Sequence, residues 1–343
     1  METRRLVLLM IFSLSLIMLW DNYQASIGKP TLFGLSTGAQ TVDQNTAAKQ
    51  AGATSAVNDL PNAASTPAAG TPDVPADPNA IAAPAAEVAP AAQTITVKTD
   101  VLELQFSTQG AQLITSKLLN HPAAENPELP VQLFEQTPKR TYVGQAGLVG
   151  VPDAPNHRTL FELVSGPTDF AAGQDSLNLV FKATSGAIES TYTYTVFKNR
   201  YDIDLVIQAR NVNAEPVSPS AYVQITRDGN PLESDSSLYA TFTGPAVYTP
   251  EKKYQKIDFE DIADRSADYV KTADSGWLAM IQHYFVSAII GQDGPRENYT
   301  RQVDSNLYSI GLVSSLGTLA PEQTATYKAK LYTGPQDQRV LES

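Results

Sequence analysis

The sequence predicts a mainly β protein, in which a large antiparallel two-sheet sandwich follows one transmembrane helix and a disordered linker and precedes the start of a C-terminal helix. Apolar and polar residues alternate repeatedly after residue 94, as they do in half-buried strands. No helical pattern of about 10–15 residues separates these segments, so a parallel α/β sheet is not expected. The composition also changes sharply twice before residue 94, which indicates three differently built parts.

The overall composition excludes several classes of function. The 343 residues include 24 Lys and Arg, 36 Asp and Glu, three His and no Cys, so the formal net charge is −12. Without Cys there are no disulfides, thiolate metal ligands or Cys nucleophiles. The acidic balance argues against nucleic acid as a partner, because phosphate binding needs a basic surface. We expect no cofactor and no metal site.

Residues 6–23 are predicted to form a transmembrane signal anchor. Arg4 and Arg5 precede an uncharged, mostly apolar run that ends at Trp20, an aromatic residue suited to a membrane interface. A cleaved signal peptide has similar charges but ends in small residues, whereas bulky and polar residues end this run. The uncleaved anchor is therefore favoured, with residues 1–5 in the cytoplasm and the rest of the chain outside it.

Residues 24–93 are predicted to be a disordered, Pro/Ala-rich linker. Pro recurs among Ala, Asp and Thr through residues 66–92, and aromatic residues are nearly absent between Phe33 and residue 94. Such a composition buries too little apolar surface to offset the entropy lost on ordering. The Pro residues make it semi-extended, so it is predicted to be a tether. Folding on a partner stays open as an alternative, although no apolar pattern supports it.

Residues 94–334 are predicted to be the folded β-domain. Its clearest feature is a hairpin, in which residues 188–197 and 201–209 alternate in polarity on either side of a short polar turn. Residues 276–290 fit both a helical stripe and a buried strand, and a strand is favoured over the second half. Further strands are predicted at residues 101–106, 177–183, 221–226, 307–313 and 325–332.

Residues 335–343 are predicted to start a helix, because Pro335 suits the first helical turn. A helix of about two turns is marginal alone. We therefore expect this sequence to belong to a longer protein.

No group of residues forms a catalytic constellation by spacing. A general base is one interpretation of His283, but a half-buried structural histidine is favoured because no carboxylate is set near it by spacing. The acidic series in residues 258–268 lacks the spacing and the Gly of a Ca²⁺-binding loop, so a solvated acidic face is expected.

One block mixes aromatic and basic side chains, a composition common in protein interfaces. An edge strand protected by lysines explains the same residues, and the sequence leaves both interpretations open. The candidate partner-binding residues are Tyr248, Lys252, Lys253, Tyr254, Lys256 and Phe259.

Five separated blocks resemble, in the same order, the N-terminal part of the YidC family of bacterial membrane protein insertases. They are residues 4–24, 97–119, 241–262, 275–289 and 332–338. The fourth block contains residues that match the family signature and are expected to be structural: Gly276, Trp277, Gln282, His283, Tyr284 and Phe285.

The resemblance implies a β-supersandwich, similar to the fold of galactose mutarotases, in the Gram-negative periplasm. It implies one N-terminal span in the inner membrane and an intact protein that inserts, folds and assembles membrane proteins, as insertase and chaperone. It further implies contacts with the Sec translocon and its accessory proteins SecD and SecF. Nascent membrane proteins would engage a later transmembrane bundle that these residues do not include, so this part is expected to be a docking or scaffold module.

The sequence also leaves two alternatives open. The first is a membrane-anchored carbohydrate-binding or mutarotase-like protein, which needs His283 and a carboxylate in one cleft. The second is a tethered scaffold with no partner beyond its own membrane-embedded part.

Overall fold

The computed structural model describes residues 60–61, 91–231 and 241–336. The predicted anchor at residues 6–23, most of the predicted linker and residues 337–343 lie outside these ranges. Within the described ranges, no helix is long and apolar enough to span a bilayer.

The described residues form two antiparallel sheets and one short helix. In chain order the elements are β1 Thr94–Lys98, β2 Leu102–Ser107, β3 Gln112–Pro122, β4 Pro130–Gln132, β5 Glu135–Gln136, β6 Thr141–Val149, β7 Glu162–Ser165, β8 Ser176–Ser185, β9 Ile188–Phe197, β10 Asp202–Asn211, β11 Ser220–Asp228, β12 Gly244–Thr249, β13 Lys253–Lys256, α1 Phe259–Ala263, β14 Thr272–Ala273, β15 Trp277–Gln282, β16 Phe285–Gly291, β17 Arg296–Asp304, β18 Leu307–Ser315 and β19 Thr324–Pro335.

The two sheets differ in their strand order. The ten-stranded sheet has the order β1-β2-β3-β6-β11-β18-β17-β14, with β4 beside β3 and β5 beside β6. The nine-stranded sheet has the order β13-β12-β15-β16-β19-β10-β9-β8-β7, so β13 and β7 are its edge strands. Both sheets combine sequence-adjacent hairpins with strands that are distant in sequence, such as β19 between β16 and β10.

The strand predictions hold at the points where the pattern was clearest. The first strand of the described ranges after residue 91 begins at Thr94, and β9 pairs with β10 around the predicted turn. Residues 276–290, for which helix and strand were both open, form the hairpin β15–β16. The strand β19 extends through Pro335, which lies opposite Phe285 in β16, so the first residue assigned to the C-terminal helix is still in the sheet.

One face of each sheet contributes to a shared core. In β9 the alternation buries Tyr194 and its apolar neighbours while the intervening Thr side chains stay partly exposed. The ring centroid of Phe106, in the ten-stranded sheet, lies 4.8 Å from that of Tyr194 and 6.3 Å from that of Phe181 in the nine-stranded sheet. The Tyr194 hydroxyl donates to the carbonyl of Ala111 at 2.8 Å, so this buried polar group is satisfied.

The opposite face of the ten-stranded sheet, called here the outer face, is also covered. Every residue of the central strand β11 is buried. Ala221, Val223 and Ile225 belong to the shared core, so Tyr222 and Gln224 point to the outer face. A strand buried on both faces needs cover from other segments of the chain, and these segments include the loop after β6.

Candidate functional site

The candidate interface residues lie at one edge of the nine-stranded sheet. Tyr248 in β12 is opposite both Tyr254 in β13 and Trp277 in β15. The rings of Tyr248 and Trp277 are stacked at 5.5 Å with an interplanar angle of 10°, and the Tyr254 ring centroid lies 5.9 Å from that of Trp277. The pairing register thus brings together three aromatic rings from three neighbouring strands.

Three cationic residues lie on β13 or directly before it, in the strand next to this cluster. Lys252, Lys253 and Lys256 are exposed, and Tyr254 is 44% exposed. Partial burial raises the pKa of Tyr254, so its phenol is neutral in ordinary buffers. These aromatic and basic residues together present neutral rings with a positive rim. They are called the edge patch: Tyr248, Lys252, Lys253, Tyr254, Lys256 and Trp277.

Phe259, the remaining candidate interface residue, does not belong to the edge patch. It is the first residue of α1, and its ring lies 4.7 Å from that of Tyr308 in the ten-stranded sheet. The reason is that the short helix turns its apolar side toward the core while its acidic side chains remain exposed, as the predicted solvated acidic face requires. Within the described ranges, no group of three His or acidic side chains is arranged to hold a metal ion.

Gly276, which directly precedes Trp277, determines how closely β12 and β15 approach each other at the aromatic cluster. Its φ is +115°, a conformation that L side chains rarely adopt. A Cβ at this position would lie 2.0 Å from the carbonyl oxygen of Tyr248. The close approach of β12 to the start of β15 therefore depends on the absence of a side chain at residue 276.

The other signature residues form the tip of the β15–β16 hairpin. His283 is exposed, which corrects the expected half-buried state, because the two-residue turn places it outside the strand ladder. Tyr284 is 69% exposed and contacts the His283 ring. Gln336 fastens this tip to the end of β19: its backbone N–H donates to Tyr284 at 2.8 Å, and its side-chain amide donates to Gln282 at 3.0 Å and Phe285 at 2.7 Å.

The outer face holds a buried His–Tyr pair that the sequence pattern did not indicate. His157 lies in the loop after β6 and is only 3% exposed, and its Nδ1 lies 2.5 Å from the hydroxyl of Tyr222. Burial, with a smaller contribution from the Arg301 charge, lowers the pKa of His157 to about 4. The neutral imidazole accepts a hydrogen bond from the Tyr222 hydroxyl.

A chain of amide hydrogen bonds continues across the same face. Gln145 donates to Gln112 at 2.8 Å, Gln224 donates to Gln145 at 2.6 Å, and the Tyr299 hydroxyl donates to Gln224 at 2.6 Å. Connected pairing of this kind rigidifies a buried polar layer. The sequence did contain one signal of this polar layer. In β11, polar residues such as Gln224 occupy alternating positions of a strand that is otherwise apolar.

The solved structures that align with this chain do so at low sequence identity. A galactose mutarotase related enzyme from Lactobacillus acidophilus aligns with 72% of this chain and 99% of its own, at 8% identity and a TM-score of 0.45. A putative aldose 1-epimerase from Escherichia coli K12 aligns with 71% of this chain and 99% of its own, at 11% identity and a TM-score of 0.42.

Sequence comparison is more specific. Residues 94–343 match the family model described as the YidC periplasmic domain. The chain is 46% identical, over 99% of its length, to the membrane protein insertase YidC of Bordetella petrii, and 39% identical over 100% to that of Janthinobacterium sp.. It spans 60% and 59% of these two relatives. The chain therefore belongs to the YidC family of membrane protein insertases.

Proposed function

We propose that this chain is the anchored periplasmic part of a membrane protein insertase and acts as a docking module, not as an enzyme. The whole protein would insert, fold and assemble inner-membrane proteins, alone or with the Sec translocon. Nascent membrane proteins would engage the portion of the relatives that this chain does not span. Residues 6–23 would cross the inner membrane once and leave the sandwich in the periplasm. Family membership supports this proposal.

The edge patch is the observation that carries the docking role. Because β13 is an edge strand, one side of its backbone is open to pairing with a partner strand. Lysines alone would explain a protected edge. The partly exposed rings of Tyr248, Tyr254 and Trp277 add apolar area that protection does not require and that interfaces favour. We assign the patch to a partner with acidic and apolar side chains, and SecD and SecF are the candidates.

Site-specific crosslinking in membranes tests this assignment. A photoreactive amino acid in place of Tyr254 is expected to capture SecD or SecF. The same group in place of Val164, which is 57% exposed on the opposite edge strand β7, serves as the matched control. Capture of the same proteins with equal yield from both positions would contradict the proposal. Capture of the parent protein alone would support the scaffold alternative.

Charge reversal of the rim is the second prediction for this surface. Lys253→Glu together with Lys256→Glu is expected to lower the crosslinking yield from residue 254 by roughly fivefold to tenfold, because an acidic partner would be repelled. Exposed substitutions of this kind change the free energy of unfolding by about 0.5 kcal/mol or less. An unchanged yield in a variant with an unchanged urea midpoint would exclude an electrostatic contribution of the lysines.

The carbohydrate alternative depends on His283. Among residues 91–231 and 241–336, no carboxylate forms an ion pair or a hydrogen bond with this exposed side chain. A mutarotase site requires a His and a carboxylate that converge on one substrate. The docking function is therefore the better supported, and a calorimetric screen with simple sugars is expected to give no heat of binding.

A further inference from the structure

Two residues of the predicted linker lie against the sandwich far ahead of β1 in sequence. Leu60 packs on the outer face of the ten-stranded sheet, where it meets Val149, Tyr222 and Val313. Pro61 is buried. The linker prediction for residues 24–93 did not anticipate this contact, because a single Leu-Pro pair makes no periodic apolar pattern.

The backbone polar groups of this pair suit a buried position. The Leu60 carbonyl accepts a hydrogen bond from the guanidinium of Arg301 in β17. Pro61 has no N–H, so its burial leaves no donor unsatisfied. A residue before proline also prefers an extended conformation, which lowers the entropy cost of laying the segment along a sheet.

The same two residues form part of a groove with the loop after β6. The groove has a volume of about 360 Å³. Leu60 and Pro61 line it together with Leu148, Val149, Gly150, Val151, Asp153, Ala154 and Asn156. The lining is mostly apolar, and Leu60 and Pro61 form one part of its wall.

We propose that Leu60–Pro61 is an intramolecular strap, in which the linker binds the outer face of its own domain and is fixed there at an internal point. The apolar contacts of Leu60 supply the affinity, and Arg301 supplies the orientation. Docking divides the linker in two and leaves residues 24–59 between the predicted anchor and the first fixed point. If the linker spans a distance that grows as the square root of its length, the strap reduces that span to about 0.7 of its undocked value.

Because the chain has no Cys, paired cysteines test the strap without background. The strap pair combines Asn62→Cys with Val151→Cys, and the control pair combines Asn62→Cys with Val164→Cys, a position exposed on β7 of the other sheet. In the full chain in membranes, a short bismaleimide is expected to link the strap pair at least about tenfold faster than the control pair. Equal rates for the two pairs would overturn the proposal.

A substitution at Leu60 tests the contact itself. Leu60→Asp places a charge against apolar side chains and is expected to reduce the linking rate of the strap pair to that of the control pair. Leu60→Met keeps the apolar volume and is expected to preserve the faster rate. Circular dichroism should be the same for both variants, because residue 60 lies outside the sheets. A rate unaffected by Leu60→Asp would show that Leu60 does not hold the strap.

Discussion

Replacement of Gly276 by Ala is expected to lower the free energy of unfolding by about 3 kcal/mol or more. The conformation at φ +115° costs a residue with a side chain about 1–3 kcal/mol. In addition, the new Cβ would lie 2.0 Å from the carbonyl oxygen of Tyr248, so β12 and β15 must separate. A backbone atom cannot move aside as a flexible side chain can, which makes this the costlier of the two effects. Urea unfolding of the full chain, followed by circular dichroism, measures the loss.

Gly294→Ala is the matched control for this substitution. Gly294 has a φ of +133°, but nothing lies within 4 Å of the position that a Cβ would take there. It therefore carries the backbone strain without the collision, and a loss of about 1–2 kcal/mol is expected. The difference between the two variants measures the collision alone. Equal losses would show that β12 and β15 can separate at no cost.

The same pair of variants connects stability to the edge patch. Gly276→Ala should disturb the stacking of Tyr248 on Trp277, which the near-ultraviolet circular dichroism of the aromatic residues reports. It should also reduce crosslinking from residue 254, whereas Gly294→Ala should leave that yield unchanged. The edge patch would then depend on the close approach of two strands as well as on its exposed side chains.

Local alternation was sufficient to predict much of the sandwich. In β9 buried and partly exposed residues alternate strictly, and four of the five partly exposed residues are Thr or Glu, so the strand and its inward face follow from period two alone. The hairpin to β10 follows from the short polar turn between two such strands. These features depend on residues that are neighbours in sequence, so they can be predicted from the local pattern.

The covered outer face was not predictable in this way. Tyr222 is buried because His157 and Leu60, which are distant from it in sequence, contact it in the fold. Neither contact leaves a local pattern in β11. A strand with both faces buried is indistinguishable by period from other apolar segments.

The candidate interface was predicted by composition but not in its geometry. Tyr248 and Tyr254 were named as interface residues, whereas Trp277 was assigned to the structural signature. The strand register places Trp277 opposite Tyr248 and so joins the two groups. Register depends on long-range pairing, and the inward turn of Phe259 depends on the position of α1 against the core.

Stability is expected to fall by about 3 kcal/mol between pH 7 and pH 4 through His157 alone. The pKa of His157 is about 4 in the folded protein, against 6.5 as the ordinary value expected in the unfolded chain. The unfolded chain therefore binds a proton first as the pH falls. The contribution to stability is complete above about pH 6.5 and is lost progressively down to about pH 4. Each unit of pKa difference corresponds to about 1.4 kcal/mol.

His157→Gln is the control that separates this histidine from the remaining titrating groups. Its amide still accepts a hydrogen bond from the Tyr222 hydroxyl but does not titrate, so the dependence on pH should flatten between pH 6.5 and 4. Burial also lowers the pKa of His121, and the residual slope should decrease further in His121→Gln. If His157→Gln loses stability with pH as steeply as the parent chain does, the buried neutral histidine is not the cause.

The same protonation should also loosen the strap. Arg301 lowers the pKa of His157 through its positive charge and also donates to the Leu60 carbonyl. A protonated His157 would repel Arg301 and could no longer accept the hydrogen bond from the Tyr222 hydroxyl. Leu60 packs against the cluster that contains Tyr222, so this change would reach the strap. Strap pairs can be exposed briefly to a short bismaleimide at a series of pH values, and the linked fraction corrected for thiol ionisation with the control pair. At pH values below about 5, this corrected fraction should decrease in the parent chain and stay constant in His157→Gln. A parallel decline in both chains would show that protonation of His157 does not control the strap, whose apolar contact at Leu60 and hydrogen bond from Arg301 would then be independent of it.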